Sequence, residues 1–539
     1  MKRYFLLPLL ALATAAQAQD SYTNERLFNN SGDVIGTARY VGMGGALGAL
    51  GADISGISWN PAGIGLYRKN DIALSFGGSW GKSAIEEERR GAGSFDQIGF
   101  VYCAPLYNEK CPYLNFAFNY QKKINFNNNF YADNLSLNGL SQMDQLAQLG
   151  ILEDGWGDKA DPQSLARLAV ENGFLEKIPF GSSQYYYRNP GYGLGALNNY
   201  TFHSEGSLQA FDINFSTNVQ DRYFFGLTVG IDNLNYRGWS QYDEAFYYAP
   251  EDQNKPYYGL YNDYSIKGYG FNVKLGTIIR PVEDSPFRFG LTVETPTWYR
   301  IKSSRLFDLE DYFSEWTYGD KTYRTDLMES YLEYTFRSPW KLRAGIGSTV
   351  GTKFAWDVDY ELAFYGNTGM GYPRYADDYY YDCYRPMANV PDEDMNQLTK
   401  DNFRTTHTMR LGMEYRPTNH WAVRLGYNLN TSAYNDKVTY DQYNTSSPAM
   451  DYTTETNYMR RGNTNILTLG VGYRYKSFYM DLAYKVRSQK ADFYAFDDSF
   501  TQPNSTYLLD VPEAQGAKLS PVEVDLTRQT VTATLGFKF

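Results

Sequence analysis

Val531–Phe539 reads VTATLGFKF, with an apolar or aromatic residue at every second position and Thr, Gly or Lys between them. That spacing is the period of a β-strand whose two faces meet different surroundings. The same rhythm runs back through the chain. Leu467, Leu469, Val471, Tyr473 and Tyr475 alternate with Thr468, Gly470, Gly472 and Arg474. Met480, Leu482, Tyr484 and Val486 alternate with Asp481, Ala483, Lys485 and Arg487. Trp340, Leu342, Ala344 and Ile346 interleave with Lys341, Arg343, Gly345 and Gly347, as Trp356, Val358 and Tyr360 do with Asp357, Asp359 and Glu361. One face is apolar throughout, and the other carries charges of both signs.

Alternation by itself does not say which face is outside; strand length, connections and aromatics do. The runs exceed the about five or six residues usual in globular strands. Tight turns near 105–113, 219–222, 281–287, 351–353, 417–421 and 476–478 alternate with long segments near 131–204, 246–262, 306–330, 367–403, 436–462 and 497–521, with a shorter one near 86–93. The expectation is an all-β fold, a transmembrane antiparallel barrel of about 14 strands. Closure is required because the bilayer core holds no water to satisfy an open sheet edge. Tyr, Phe and Trp, together 17% of the chain, gather near strand ends as girdles at two interfaces.

Several other classes are excluded. Past residue 18 no apolar run approaches the about 20 residues that a membrane helix needs. A net charge of −11 and the lack of a basic run interleaved with aromatics argue against nucleic acid. Three Cys do not make a disulfide framework, although Cys103 and Cys111 flank a turn where a single pairing is an open alternative to two free thiols. An enzyme is not expected: no Gly-x-Ser-x-Gly elbow is read, and His203, His407 and His420 offer few general bases. No cofactor or metal is expected. The acidic groups Asp377, Asp378 and Asp382, and Asp392, Glu393 and Asp394, read as solvated loop faces rather than calcium sites.

Met1–Ala18 has Lys2 and Arg3, an apolar run, and Ala16-Gln17-Ala18 at its end, the pattern of a cleaved secretory signal. Residues 19–70 then lie outside the strand rhythm and precede the barrel, 71–539. Within them, Ala38–Tyr67 reads ARYVGMGGALGALGADISGISWNPAGIGLY, small and apolar, with Gly42, Gly44, Gly45, Gly48, Gly51 and Gly63 and the tripeptide Asn60-Pro61-Ala62. A phosphate loop is a poor reading, since Leu47 stands where a dinucleotide fingerprint needs its third glycine. A barrel of this width is not filled by its own wall side chains, and this segment is the natural plug. In the long segment 131–204, Leu140, Met143, Leu146 and Leu149, then Leu165, Leu168, Ala169 and Leu175, recur at helical spacing and predict two or three short amphipathic helices in an extracellular loop.

The SWNPAG stretch, the strand count, the helical loop and the terminal Phe539 together resemble the FadL/TodX outer-membrane transport family. That resemblance implies a hatch marked by Asn60, Pro61 and Ala62, with the hatch glycines alike in character. It also implies passive uptake of apolar small molecules such as long-chain fatty acids, gated by the hatch with Asn60 as its latch. It implies a monomer in the outer-membrane bilayer, delivered by the barrel assembly machinery, with Phe537 and Phe539 as the assembly signal. The Tyr- and Asn-rich style looks like the Bacteroidota branch, often labelled hemin receptors, so hemin or porphyrin uptake is one alternative. A scaffold or shuttle role in a type IX secretion system is another.

Overall fold

The structure is a computed structural model that describes residues 19–539 apart from 30–32, 82–91, 107, 148–168, 171–173, 181–182, 189–193, 248–256, 283–284, 312–327, 377–384, 436–456, 497 and 499–517. The Met1–Ala18 leader, Leu149, Leu165 and Leu168, and Asp377, Asp378 and Asp382 fall outside the described residues. Fourteen antiparallel strands close into a barrel. They are β1 (Asp71–Gly81), β2 (Ala92–Pro105), β3 (Tyr113–Asn125, continued by Asn128–Ser136), β4 (Leu194–Val219), β5 (Tyr223–Tyr247), β6 (Tyr257–Ile279) and β7 (Arg288–Glu294, continued by Trp298–Asp311). There follow β8 (Met328–Arg337, continued by Lys341–Val350), β9 (Phe354–Phe364, continued by Gly369–Ala376), β10 (Arg385–Pro391, resumed at Thr405–Tyr415), β11 (Trp421–Asn430), β12 (Tyr458–Tyr475), β13 (Phe478–Tyr494) and β14 (Val522–Asp525, continued by Arg528–Lys538).

Each strand pairs with its neighbours in sequence, and β1 closes on β14 from Asp71↔Lys538 to Gly81↔Arg528. Asn70 and Phe539 exchange both backbone hydrogen bonds at 3.1 Å, which pins the two ends of the barrel together. These ends lie with the short connections, on what is called the turn end below; the long connections form the loop end.

The apolar face of the alternation is outside. Leu342, Leu467, Leu469, Leu482, Leu535 and Phe537 are exposed, while their interleaved partners Lys341, Arg343, Thr468, Asp481, Lys485 and Thr534 are buried in the lumen. An apolar belt with a polar interior is what a bilayer imposes on a barrel. Tyr415, Trp421, Tyr475, Phe478 and Phe539 stand exposed at the turn end as one girdle.

The helical reading of 131–204 holds only in part. Met143 and Leu146 lie on a helix over 142–147, but residues 131–136 extend β3 and Leu175 begins a small hairpin, Leu175–Phe180 with Ser183–Arg188. Period alone did not separate a helix from alternating apolar residues at a strand end. Cys103 and Cys111 are free: Cys103 lies on β2 opposite Asn115, with its sulfur 3.1 Å from Lys69 O, while Cys111 lies in the turn.

Candidate functional site

The segment before β1 lies inside the barrel and is built from short helices because its sequence supplies caps rather than length. Thr37 caps the short helix Ala38–Gly42 by accepting from Tyr40 N, and its hydroxyl donates to Asp53 Oδ1 at 2.7 Å. Asp53 in turn caps the 3-10 helix Ile54–Ser58. Asn60 caps the next one, Pro61–Leu66, with Oδ1 accepting from Ala62 N at 3.1 Å, and Pro61 takes the first helical position, where its missing N–H costs nothing. The Asn-Pro-Ala tripeptide is thus a helix start. Asn60 Nδ2 then donates to Gly48 O at 2.7 Å within the segment and to Thr277 O of β6 at 3.2 Å.

The glycines let backbone meet backbone. Gly44 combines φ +63° with a position where a Cβ would lie 2.8 Å from Tyr427 N of β11. Gly51, at φ +58°, packs on Gly63, so these two brace the segment internally. Gly42 faces Gly470, Gly45 faces the Arg410 guanidinium, and Gly48 faces the Asp359 carboxylate. The wall answers with glycines of its own, which sequence reasoning missed. A Cβ on Gly226 (β5), Gly276 (β6), Gly290 (β7), Gly412 (β10) or Gly426 (β11) would strike the backbone or side chains of Met43, Gly44, Gly48, Asn60 or Pro61. Their signal was present in the alternation: they occupy inward-phase positions that elsewhere hold polar or charged side chains.

Charge completes the seat. Arg39 meets Glu414 at 3.3 Å and Ala52 O at 2.8 Å, Arg424 bridges Glu414 and Asp481 at 2.6 Å each, and Lys485 meets Asp33 at 2.5 Å. Burial would raise the Asp33 carboxyl, but Lys485, Arg487 and Arg528 outweigh it and hold it down at about 2. Trp59 is held by two cations, with the Arg410 and Arg343 guanidinium carbons 3.5 and 4.6 Å from the ring centre.

Toward the loop end the lumen changes character. An apolar cluster gathers residues from α1 (Gln19–Phe28), from helix 142–147 and from the extended strands. Phe28 packs on Tyr299 and Phe336 with ring centres 4.3 and 4.6 Å away, and Arg26 lies 5.2 Å from the Tyr236 ring. The cluster also encloses a buried carboxylate, Glu244, which accepts from Tyr242 Oη at 2.9 Å and from Tyr258 Oη at 2.8 Å, while at its edge Tyr434 Oη donates to Glu25 at 2.9 Å.

Two cavities flank the inner segment. One of about 320 Å³ lies on the loop side, bounded by Arg26, Asp33, Trp80, Phe202, Tyr236 and Arg528. The other, of about 230 Å³, lies on the turn side among Arg39, Asp53, Tyr67, Arg424, Tyr479 and Asp481. Beside the first, the β2–β3 ladder ends at Gln97↔Gln121. Beyond that point, among the described residues, β2 pairs only with β1, and β3 only with β4. Arg528 reaches into this split, donating to Asn125 O at 3.1 Å and to Asn127 O.

Other residues do not assemble. His203 stands on β4 rather than in a loop, beside Asn129. His407 is exposed on β10 with its Nδ1 2.6 Å from Tyr360 Oη, and His420 sits in the turn before β11, so no two share a site. Asp392 caps the helix Glu393–Asn402, and its acidic neighbours form the first turn. No group of three or more His, Cys, Asp or Glu able to hold a metal occurs among the described residues. The chain does contain the spacing Gly77-x-Ser79-x-Gly81, which corrects the expectation of no such pentapeptide. It lies within β1, where Ser79 pairs with Ala92 and Thr530, and not on the strand-to-helix turn that exposes a nucleophile.

No protein-family model and no curated protein matches this chain. Solved structures do. A FadL homologue from Pseudomonas aeruginosa aligns over 94% of this chain and 99% of its own, with TM-score 0.50 at 12% identity. The CymD monoaromatic hydrocarbon channel covers 95% of this chain and 99% of its own at TM-score 0.46 and 12% identity. The toluene transporter TodX of Pseudomonas putida covers 94% and 98% at TM-score 0.44 and 11% identity. The first of these establishes a FadL-like fold, a fourteen-stranded closed barrel with its N-terminal segment inside. The proteins it resembles are transport channels, not enzymes.

Proposed function

We propose that this barrel carries small apolar molecules passively across an outer membrane, with residues 19–70 acting as a hatch. The observation that carries the reading is the partition of the lumen. A largely apolar cluster at the loop end borders a cavity of about 320 Å³ lined by both polar and apolar residues, and the seated segment separates that cavity from the one of about 230 Å³ at the turn end. Aromatic and aliphatic side chains beside that cavity favour an apolar guest by removing its surface from water.

In this reading the loop-end connections face the cell exterior and the turn end faces the periplasm. Long-chain fatty acids and monoaromatic hydrocarbons are both ligands of suitable chemistry. Asn60, Pro61 and Ala62 fix the hatch bend, and Asn60 latches it to β6. The split between β2 and β3 favours a second route, in which a guest leaves the cavity sideways into the bilayer past Arg528 while the hatch stays closed.

Purification in mild detergent followed by mass spectrometry of bound compounds tests the reading. Recovery of an apolar compound that a labelled fatty acid or monoaromatic displaces is expected. A protein that binds neither contradicts it.

A further inference from the structure

The hatch reading locates a gate but leaves open which wall residues hold it shut, and β9 supplies them. Three consecutive backbone N–H groups of the hatch end on two wall carboxylates. Gly48 N donates to Asp359 Oδ2 at 2.9 Å, while Ala49 N and Leu50 N both donate to Asp357 Oδ2, at 3.1 and 2.8 Å. Both carboxylates are 1% exposed. The remaining oxygen of each, Oδ1, has no hydrogen-bond partner among the described residues, so this pair is shaped around what the hatch donates.

The neighbouring strands make room for them. Asp359 lies opposite Gly345 and Asp357 opposite Gly347 on β8, and a Cβ on Gly345 would collide with Asp359 Oδ1. On the other side, Asp359 lies opposite Arg410 and Asp357 opposite Gly412 of β10. Arg410 donates to Tyr40 Oη at 2.7 Å and covers Trp59, and Gly412 receives Met43. Three adjacent strands therefore form one seat.

Within the tripeptide, Asn60 spends its Oδ1 and its shorter Nδ2 bond inside the hatch and reaches the wall at Thr277 O, 3.2 Å away, while Pro61 O accepts from Ser216 Oγ at 2.9 Å and Asn214 Nδ2 at 3.3 Å on β4. We infer that Asp357 and Asp359 are the positioning residues that keep the hatch closed, acting as hydrogen-bond acceptors for Gly48, Ala49 and Leu50. The inference rests on the hatch reading above. It adds to the Asn-Pro-Ala tripeptide a second latch, on a wall strand some 300 residues away, in which the wall accepts from the hatch backbone.

Ion conductance of the full chain in planar bilayers tests this, with heat-modifiable gel mobility confirming that each variant forms a barrel. The wild type is expected to be nearly silent. The double variant Asp357→Ala, Asp359→Ala leaves three buried N–H groups unpaired, and its open fraction is expected to rise about tenfold or more. The double variant Asp357→Asn, Asp359→Asn keeps one acceptor oxygen at each position and is expected to stay near wild type. A sealed Ala variant overturns the inference, and so does an Asn variant that leaks as the Ala variant does, since charge rather than acceptance would then be at work. If the Ala pair does not fold, the single variants decide. Asp357→Ala, which loses two bonds, is expected to leak more than Asp359→Ala, which loses one; equal or reversed leakage overturns the inference. Conductance needs no apolar ligand, so a failure of apolar uptake and a failure of this latch are read separately.

Discussion

The two halves of the lumen are filled by opposite means. At the turn end the hatch meets the wall through glycine pairs, backbone hydrogen bonds and ion pairs, as at Gly42 on Gly470, Gly48 on Asp359 and Arg39 on Glu414. At the loop end the filling is mainly aromatic and aliphatic, as at Phe28 on Tyr299 and Phe336, around one buried carboxylate, Glu244. Hydrogen bonds and backbone contacts are directional and tolerate little displacement, whereas apolar packing accepts another apolar body of similar volume. The lower half is suited to sealing and the upper half to receiving a guest.

That contrast is open to attack from both sides. The largest effect is expected from Gly426→Val in β11, which drives a branched side chain into the backbone of Met43 and Gly44. Hatch seating should weaken by about 3 kcal/mol, read as leak conductance from a barrel that still migrates as folded. Asn60→Ala removes the helix cap and the bonds to Gly48 and Thr277, and should cost about 1–2 kcal/mol. Unchanged uptake of apolar probes by intact cells would remove Asn60 from the latch.

In the upper half, Phe336→Leu keeps an apolar side chain and should cost about 1 kcal/mol, measured by thermal unfolding in detergent, with the hatch still sealed. Should this exchange open the hatch while Gly426→Val does not, the contrast is reversed. The smallest effect is a matter of acidity. The Asp33 carboxyl is held down at about 2 against an ordinary 3.8. Its tie to Lys485 is therefore at full strength above about pH 4 and is lost as pH falls through about 2. Leak conductance should rise over that window in the wild type and stay flat there in Asp33→Asn.

Much of this was legible in the chain. The rhythm of Leu467–Tyr475 and Val531–Phe539 announced both faces of the wall, because a strand has a strict period of two and a bilayer accepts only the apolar side. The inner segment was legible by its failure to keep that rhythm. The seat was not. Asp357 and Asp359 looked like any other charged alternates in WDVDY, and Gly276 and Gly426 like any other small ones, because their partners lie hundreds of residues away and only closure of the barrel brings them together. Cys103 and Cys111 illustrate the same limit: eight residues apart, one lies on a strand and the other in the turn beyond it, and both are free.

Transport in intact cells bears most directly on passage through this lumen. Cells lacking the protein and cells restored with it would be given a radiolabelled fatty acid or monoaromatic hydrocarbon without an energy source. Uptake that is saturable, present with the wild type and absent without it is the expected result. Equal uptake in both would contradict passage through the barrel.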